Sequence, residues 1–108
     1  FPYGETVCSF IAGGWGGMIT GLSNINGEDA SENETSNWMY FHNDQWYHIR
    51  LRVTPQKIEA WIDNKQMVDL ETAGKRIDIR SEMTACVPLG LATYWTTAAI
   101  KNITLERL

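Results

Sequence analysis

Residues 46–69 read WYHIRLRVTPQKIEAWIDNKQMVD, and this stretch decides the fold. Thr54-Pro55-Gln56-Lys57 is a turn, with Pro where its fixed φ is useful. Folding the chain about Pro55-Gln56 pairs Val53 with Ile58, Leu51 with Ala60, and Ile49 with Ile62, so that all six share one face. The other face pairs Arg52 with Glu59, Arg50 with Trp61 and His48 with Asp63, giving charge pairs and one cation–π pair. A slip of one residue would turn Arg and His into the core, so the register is well specified. Asp63-Asn64-Lys65 makes the next turn, and Gln66 to Asp69 returns. The reading is three consecutive antiparallel strands with an apolar face that packs on a second sheet.

Outward from this hairpin, helix signals are almost absent and period-two segments recur. Thr6 to Ala12 reads as a strand closed by Gly13-Gly14, and Met18 to Leu22 as a second. Ser23 to Ser36 is polar and reads as a long loop. Trp38 to Phe41 is a third strand. Ser81 to Thr93 holds one or two strands around Pro88 and Gly90, and Ala98 to Leu108 is a final strand. Many short strands in 108 residues predict an all-β chain, an antiparallel β-sandwich or jelly roll forming one domain over 1–108. An apolar fraction of 44% suffices for one small core.

The net charge of −4 argues against nucleic acid or an anionic membrane as the main partner, because both need clustered Lys and Arg. No apolar run approaches the roughly 18 residues of a membrane span. The chain starts Phe1-Pro2-Tyr3 without a signal peptide, which suggests a processed, trimmed or partly observed chain in which a targeting sequence would not be seen. Cys8 and Cys86 stand far apart in sequence without metal-ligand spacing. They read as two buried free thiols, with a disulfide in an oxidising compartment as the alternative. Asn33-Glu34-Thr35 and Asn102-Ile103-Thr104 are sequons that matter only in a eukaryotic secretory setting.

GGWGG, then GLSNINGEDASENET, then the hairpin, then LGLATYWTTAAIKNITLERL resemble the 3-keto-disaccharide hydrolase-like domain family, of planctomycete type. The most specific parts are W-Y-x-I-x-L-x-V-T-P-x-x-I-x-A-W-I-D and the closing A-x-K-N-I-x-L-x-x-L. The resemblance implies the concanavalin A-like (laminin G-like) lectin/glucanase fold. It also implies further strands before the segment matching Phe1 to Gly14, so the chain is expected to begin inside that fold, as the C-terminal part of a larger lectin-like domain. A sandwich short of strands exposes an edge or an apolar face, which predicts association with other strands, domains or chains.

Three places can carry chemistry. The first is the set of aromatics. A sugar ring has apolar C–H faces that stack on aromatic platforms. Trp15, between two pairs of glycines, is free to project. Trp61, Trp95, Arg50 and His48 complete the expected carbohydrate-binding set. Core packing is the competing role for each tryptophan. The second is the acidic loop, where Glu28, Asp29 and Glu32 offer oxygens to Ca²⁺ or another divalent metal; a solvated loop is the alternative. The third is catalysis. The resemblance implies cleavage of sugars oxidised at C3, where the ketone acidifies the neighbouring C–H and elimination replaces direct hydrolysis. That needs a general base, for which His42 and His48 are candidates, and often a divalent metal. No Ser-His-Asp arrangement or paired-carboxylate strand motif is discernible.

The functional expectation is a carbohydrate-recognition or accessory β-sandwich acting on extracellular, periplasmic or cell-surface glycans. A 3-keto-glycoside hydrolase or lyase is the first alternative, and a protein-interaction domain the second.

Overall fold

The hairpin forms with the expected register. In a computed structural model, which describes residues 1–93 and 97–107, the strands pair Ile49↔Ile62, Arg50↔Trp61, Leu51↔Ala60, Arg52↔Glu59 and Val53↔Ile58. The Thr54 Oγ1 accepts the Lys57 N–H at 3.0 Å and so closes the turn.

In chain order the strands are β1 (Pro2–Tyr3), β2 (Thr6–Val7), β3 (Ser9–Gly14), β4 (Ile19–Ser23), β5 (Asn37–Trp38), β6 (Ile49–Val53), β7 (Lys57–Ile62) and β8 (Lys65–Glu71). All pairs are antiparallel. One sheet runs β3-β4-β5, the other β6-β7-β8, and β1-β2 is a small ribbon. The fold is a β-sandwich. The ribbon is pinned to the central turn by the Tyr3 hydroxyl, which donates to the Pro55 carbonyl at 3.0 Å.

The core lies between the sheets and joins Cys8 and Leu22 to Ile58, Ala60, Ile62, Val68 and Leu70. A fully buried aliphatic side chain of this kind stabilises by about 1.5–3 kcal/mol. A bulge opposite Ala60 and Trp61 lets β8 bury two consecutive residues, Met67 and Val68. β4 is buried along its whole length, as a central strand should be. Gly21 is required there, because a Cβ would stand 2.9 Å from the Thr35 carbonyl oxygen of the overlying loop.

The loop after β4 is more ordered than a polar stretch suggests. Ile25 bridges to Ile77, and the Asn24 N–H donates to the Asp78 carbonyl at 2.6 Å. The Asn33 amide donates to the carbonyls of Leu22 (2.7 Å) and Glu28 (2.9 Å), while its oxygen accepts the Thr35 N–H at 2.9 Å. The first sequon therefore holds a buried clamp rather than an exposed acceptor.

Several expectations need correcting. The strand expected over Thr6 to Ala12 is interrupted at Cys8 and runs on to Gly14. Of the third expected strand, Trp38 to Phe41, only Trp38 pairs in a ladder, and the strand begins one residue earlier, at Asn37. Ser81–Cys86 is a 3₁₀ helix, where the Thr84 hydroxyl donates to the Ser81 carbonyl at 2.7 Å, and no strand follows through Thr93. Pro88, without an N–H, and Gly90 do not support a ladder there. The described part of the final segment, residues 98–107, is no strand either; Asn102 takes φ 54, which breaks an extended run. The apolar face of β6 is also less covered than its pattern implies: Ile49 is 48% exposed and Leu51 36%. β6 is the sheet edge farthest from β8, and β8 is the strand that packs on β4.

Candidate functional site

The residues singled out in the sequence fall on different elements. Arg50 and Trp61 face each other across β6 and β7 on the outer side of the sheet, and the guanidinium carbon lies 4.1 Å from the indole centroid. Arg52 and Glu59 follow in the next row at 3.9 Å. Gln66 donates its amide to the Glu59 carboxylate at 3.2 Å, and Lys57 holds Asp69 at 2.7 Å. The Asp69 carboxylate pulls the Lys57 ammonium above its ordinary pKa, mainly by accepting its hydrogen bond. The outer face of this sheet is thus a lattice of paired charges in which Trp61 is half-buried and already covered on one side by Arg50. His48 is exposed at the start of β6; its backbone N–H, not its ring, bonds the Asp63 carboxylate at 2.9 Å.

Trp15 belongs to the other sheet. It occupies the β3–β4 turn with φ 49, followed by Gly16 and Gly17 at φ 93 and 110. The glycines relieve the cost of that left-handed run. The indole is 44% exposed, with the Arg80 guanidinium 5.5 Å from its centroid. The structure therefore does not gather Trp15 with Arg50, Trp61 and His48, and Trp95 lies outside the described residues.

The same end of the first sheet holds a set of which the sequence reading assigned only His42, as a candidate base. The Met39 N–H bonds the Met18 carbonyl at 3.0 Å, which carries the chain past β5 in an extended path. Alternation then separates two faces. Met39, Phe41 and Tyr47 pack against the core. Trp38 (61%) and Tyr40 (65%) stand exposed beside His42, and the Tyr40 and His42 rings meet edge-on at 4.8 Å. Phe41 packs edge-on against Tyr47 at 5.1 Å, and the Tyr47 hydroxyl accepts the His42 N–H at 2.7 Å, which fixes the stripe from below. Gly13, near the end of β3, lies against the Phe41 ring, so the turn that carries Trp15 and the stripe share one end of the sheet. Trp46 is also exposed, with the Lys101 ammonium 4.1 Å from its centroid. The signal for this set was present in WMYFH, but a nearly continuous aromatic run does not say which side faces out.

Glu28, Asp29 and Glu32 of the acidic loop do not come together as a group. The Asp29 carboxylate accepts the Ser31 N–H at 2.8 Å and caps its own turn. Glu28 and Glu32 stand exposed on the loop, and nearby Glu34 is held by Lys75 at 2.8 Å. Among the described residues no group of three or more His, Cys, Asp or Glu side chains comes together.

Residues 8–106 match the model of the 3-keto-alpha-glucoside-1,2-lyase-like domain family. The chain belongs to this family. No curated protein and no solved structure matches it. This lyase-like domain is therefore a carbohydrate-related β-sandwich. Among the described residues it contains no helix long and apolar enough to cross a membrane.

Proposed function

We propose that the chain is a carbohydrate-recognition domain whose binding face is the exposed stripe Trp38–Tyr40–His42 with Trp15 beside it. The observation that carries this reading is the exposure of two large aromatic rings on one side of an extended segment whose other side is anchored in the core. Water leaves such rings readily when the C–H face of a sugar stacks on them, and the half-exposed indole of Trp15 adds a second platform at the same sheet end. Family membership supports a sugar as the ligand. The stripe lines an open surface, which suits glycans of the extracellular, periplasmic or cell-surface space, where they are displayed as chains. Titration of a glycan panel should reveal at least one ligand, with affinity falling roughly tenfold or more in Trp38→Ala and Tyr40→Ala. Absence of binding to every glycan, or unchanged affinity in both variants, contradicts the proposal.

One observation favours a second reading, catalysis, and that is the family's own description as lyase-like. In a 3-keto-glucoside the ketone acidifies the C2–H. A base removes that proton, the electron pair forms the C1=C2 bond, and the C1–O bond breaks, with the aglycone oxygen keeping the electrons and taking up a proton. His42, exposed in the stripe and with its backbone N–H bonded to the Tyr47 hydroxyl, is the base this reading assigns. It expects aglycone release from a 3-keto-glucoside to be lost in His42→Ala and retained in His48→Ala. Equal release by both variants, or none by the unmodified protein, removes it.

A further inference from the structure

β6 is an open edge of the second sheet, and its outward row of backbone groups can be named. Thr54 and Lys57 exchange both backbone bonds across the turn, and the Asp63 N–H donates to the His48 carbonyl at 2.7 Å. Alternation along the register then gives Arg50 and Arg52 the bonds to β7. It turns the N–H and C=O of Ile49, Leu51 and Val53 toward the edge. No described residue takes them. The side chains along that row are open as well, with Ile49 and Leu51 exposed on the inner face and His48, Arg50 and Arg52 exposed on the outer one. Such an edge is a template for an added strand.

The strand that fits this edge alternates apolar residues with acidic or neutral polar ones. A second β6 does not fit. Pairing two copies about Leu51 sets Arg50 against Arg52, and pairing them about Arg50 sets His48 against Arg52. The apolar residues Val87 to Leu91 are interrupted by Pro88, which cannot donate to a ladder. Residues 103–106, Ile-Thr-Leu-Glu, do fit. Ile103 is 73% exposed and Leu105 85%, and neither lies in a ladder. Set antiparallel to β6, Ile103 falls opposite Leu51 and Leu105 opposite Ile49, while Thr104 meets Arg50 and Glu106 meets His48. Glu106 then also stands diagonal to Arg50, which stacks on Trp61 and has no described carboxylate within ion-pair reach. One copy as folded does not reach this register by itself. The register puts Lys101 opposite Val53, whereas the Lys101 ammonium lies 4.1 Å from the Trp46 ring, beyond the other end of β6. Asn102 follows at φ 54 and turns the chain out of an extended path. We infer that residues 103–106 of one copy add to β6 of a second copy, so that two chains associate by exchanging this strand. The strip is short, so the association is weak and concentration-dependent, and the dilute chain is monomeric. This surface does not depend on the aromatic stripe.

The test follows sedimentation and amide hydrogen exchange of the whole chain from micromolar to millimolar concentration. The expected result is a monomer–dimer equilibrium. The Ile49 and Leu51 amides become protected as the dimer fills, while the Arg50 amide is protected by β7 throughout. Leu105→Asp should weaken the dimer about tenfold or more, and Glu106→Lys several-fold. Adding His48→Glu to the Glu106→Lys chain should recover most of that loss, because the register sets these two positions opposite each other. Leu105 and Glu106 are exposed, so neither change disturbs the monomer, and its amide spectrum reports the fold. A chain that is still monomeric at millimolar concentration overturns the inference. Protection of Ile49 and Leu51 in the monomer does so too, because a segment of the same chain would then cover its own β6. A dimer that Leu105→Asp leaves intact overturns the surface, and no recovery by His48→Glu overturns the register.

Discussion

Cys8 is fully buried between the ribbon and the first sheet, and burial pushes its thiol from 9.0 up to about 11. The unfolded chain then loses this proton at a lower pH than the native chain does. The group's contribution to stability is complete below pH 9.0 and is lost as the pH rises toward 11, about 2–3 kcal/mol in all. Urea unfolding at rising pH should show that decline in the unmodified protein and a shallower one in Cys8→Ala. A thiol reagent at neutral pH should label Cys86, which is free and half-buried, before Cys8. Equal labelling of both in the folded state would contradict the burial. Spacing alone argued only against a metal site and left a disulfide open; both thiols are free, and Cys86 is half-buried rather than buried as expected. Asn33 was not legible: a three-residue sequon says nothing about burial, whereas the folded amide makes two donor bonds inside the loop.

At the scale of elements, the β6–β7 register was legible because two constraints agree, a two-residue turn at Pro55 and strict alternation on both strands. What alternation cannot say is which strand becomes an edge. Ile49 and Ile62 are cross-strand partners, yet Ile62 is fully buried and Ile49 is 48% exposed. Ile62→Ala should cost about 2–5 kcal/mol, and Ile49→Ala no more than about 1 kcal/mol. Denaturant midpoints of the two variants check this; equal losses would mean that something covers the β6 face in solution. The strands expected over 81–93 and 98–107 failed for a related reason. Apolar alternation needs a neighbouring ladder to become a strand, and Pro88 and Asn102 resist one locally.

For the whole molecule, the two sheets sort the aromatics by role. On the second sheet Trp61 is half-buried under Arg50, so it braces the outer face. On the first, Trp38 and Tyr40 stand out from an anchored segment near Trp15. The sequence reading singled out Trp15, which the structure leaves half-exposed in the β3–β4 turn. It did not say which side of residues 38–42 faces out, because composition does not carry the Met39–Met18 backbone bond. The most direct measurement follows the indole N–H signals of the tryptophans by NMR while a bound glycan is titrated in. The account predicts that Trp38 and Trp15 shift and that Trp61 stays in place. Shifts at Trp61, with Trp38 and Trp15 unmoved, would contradict it.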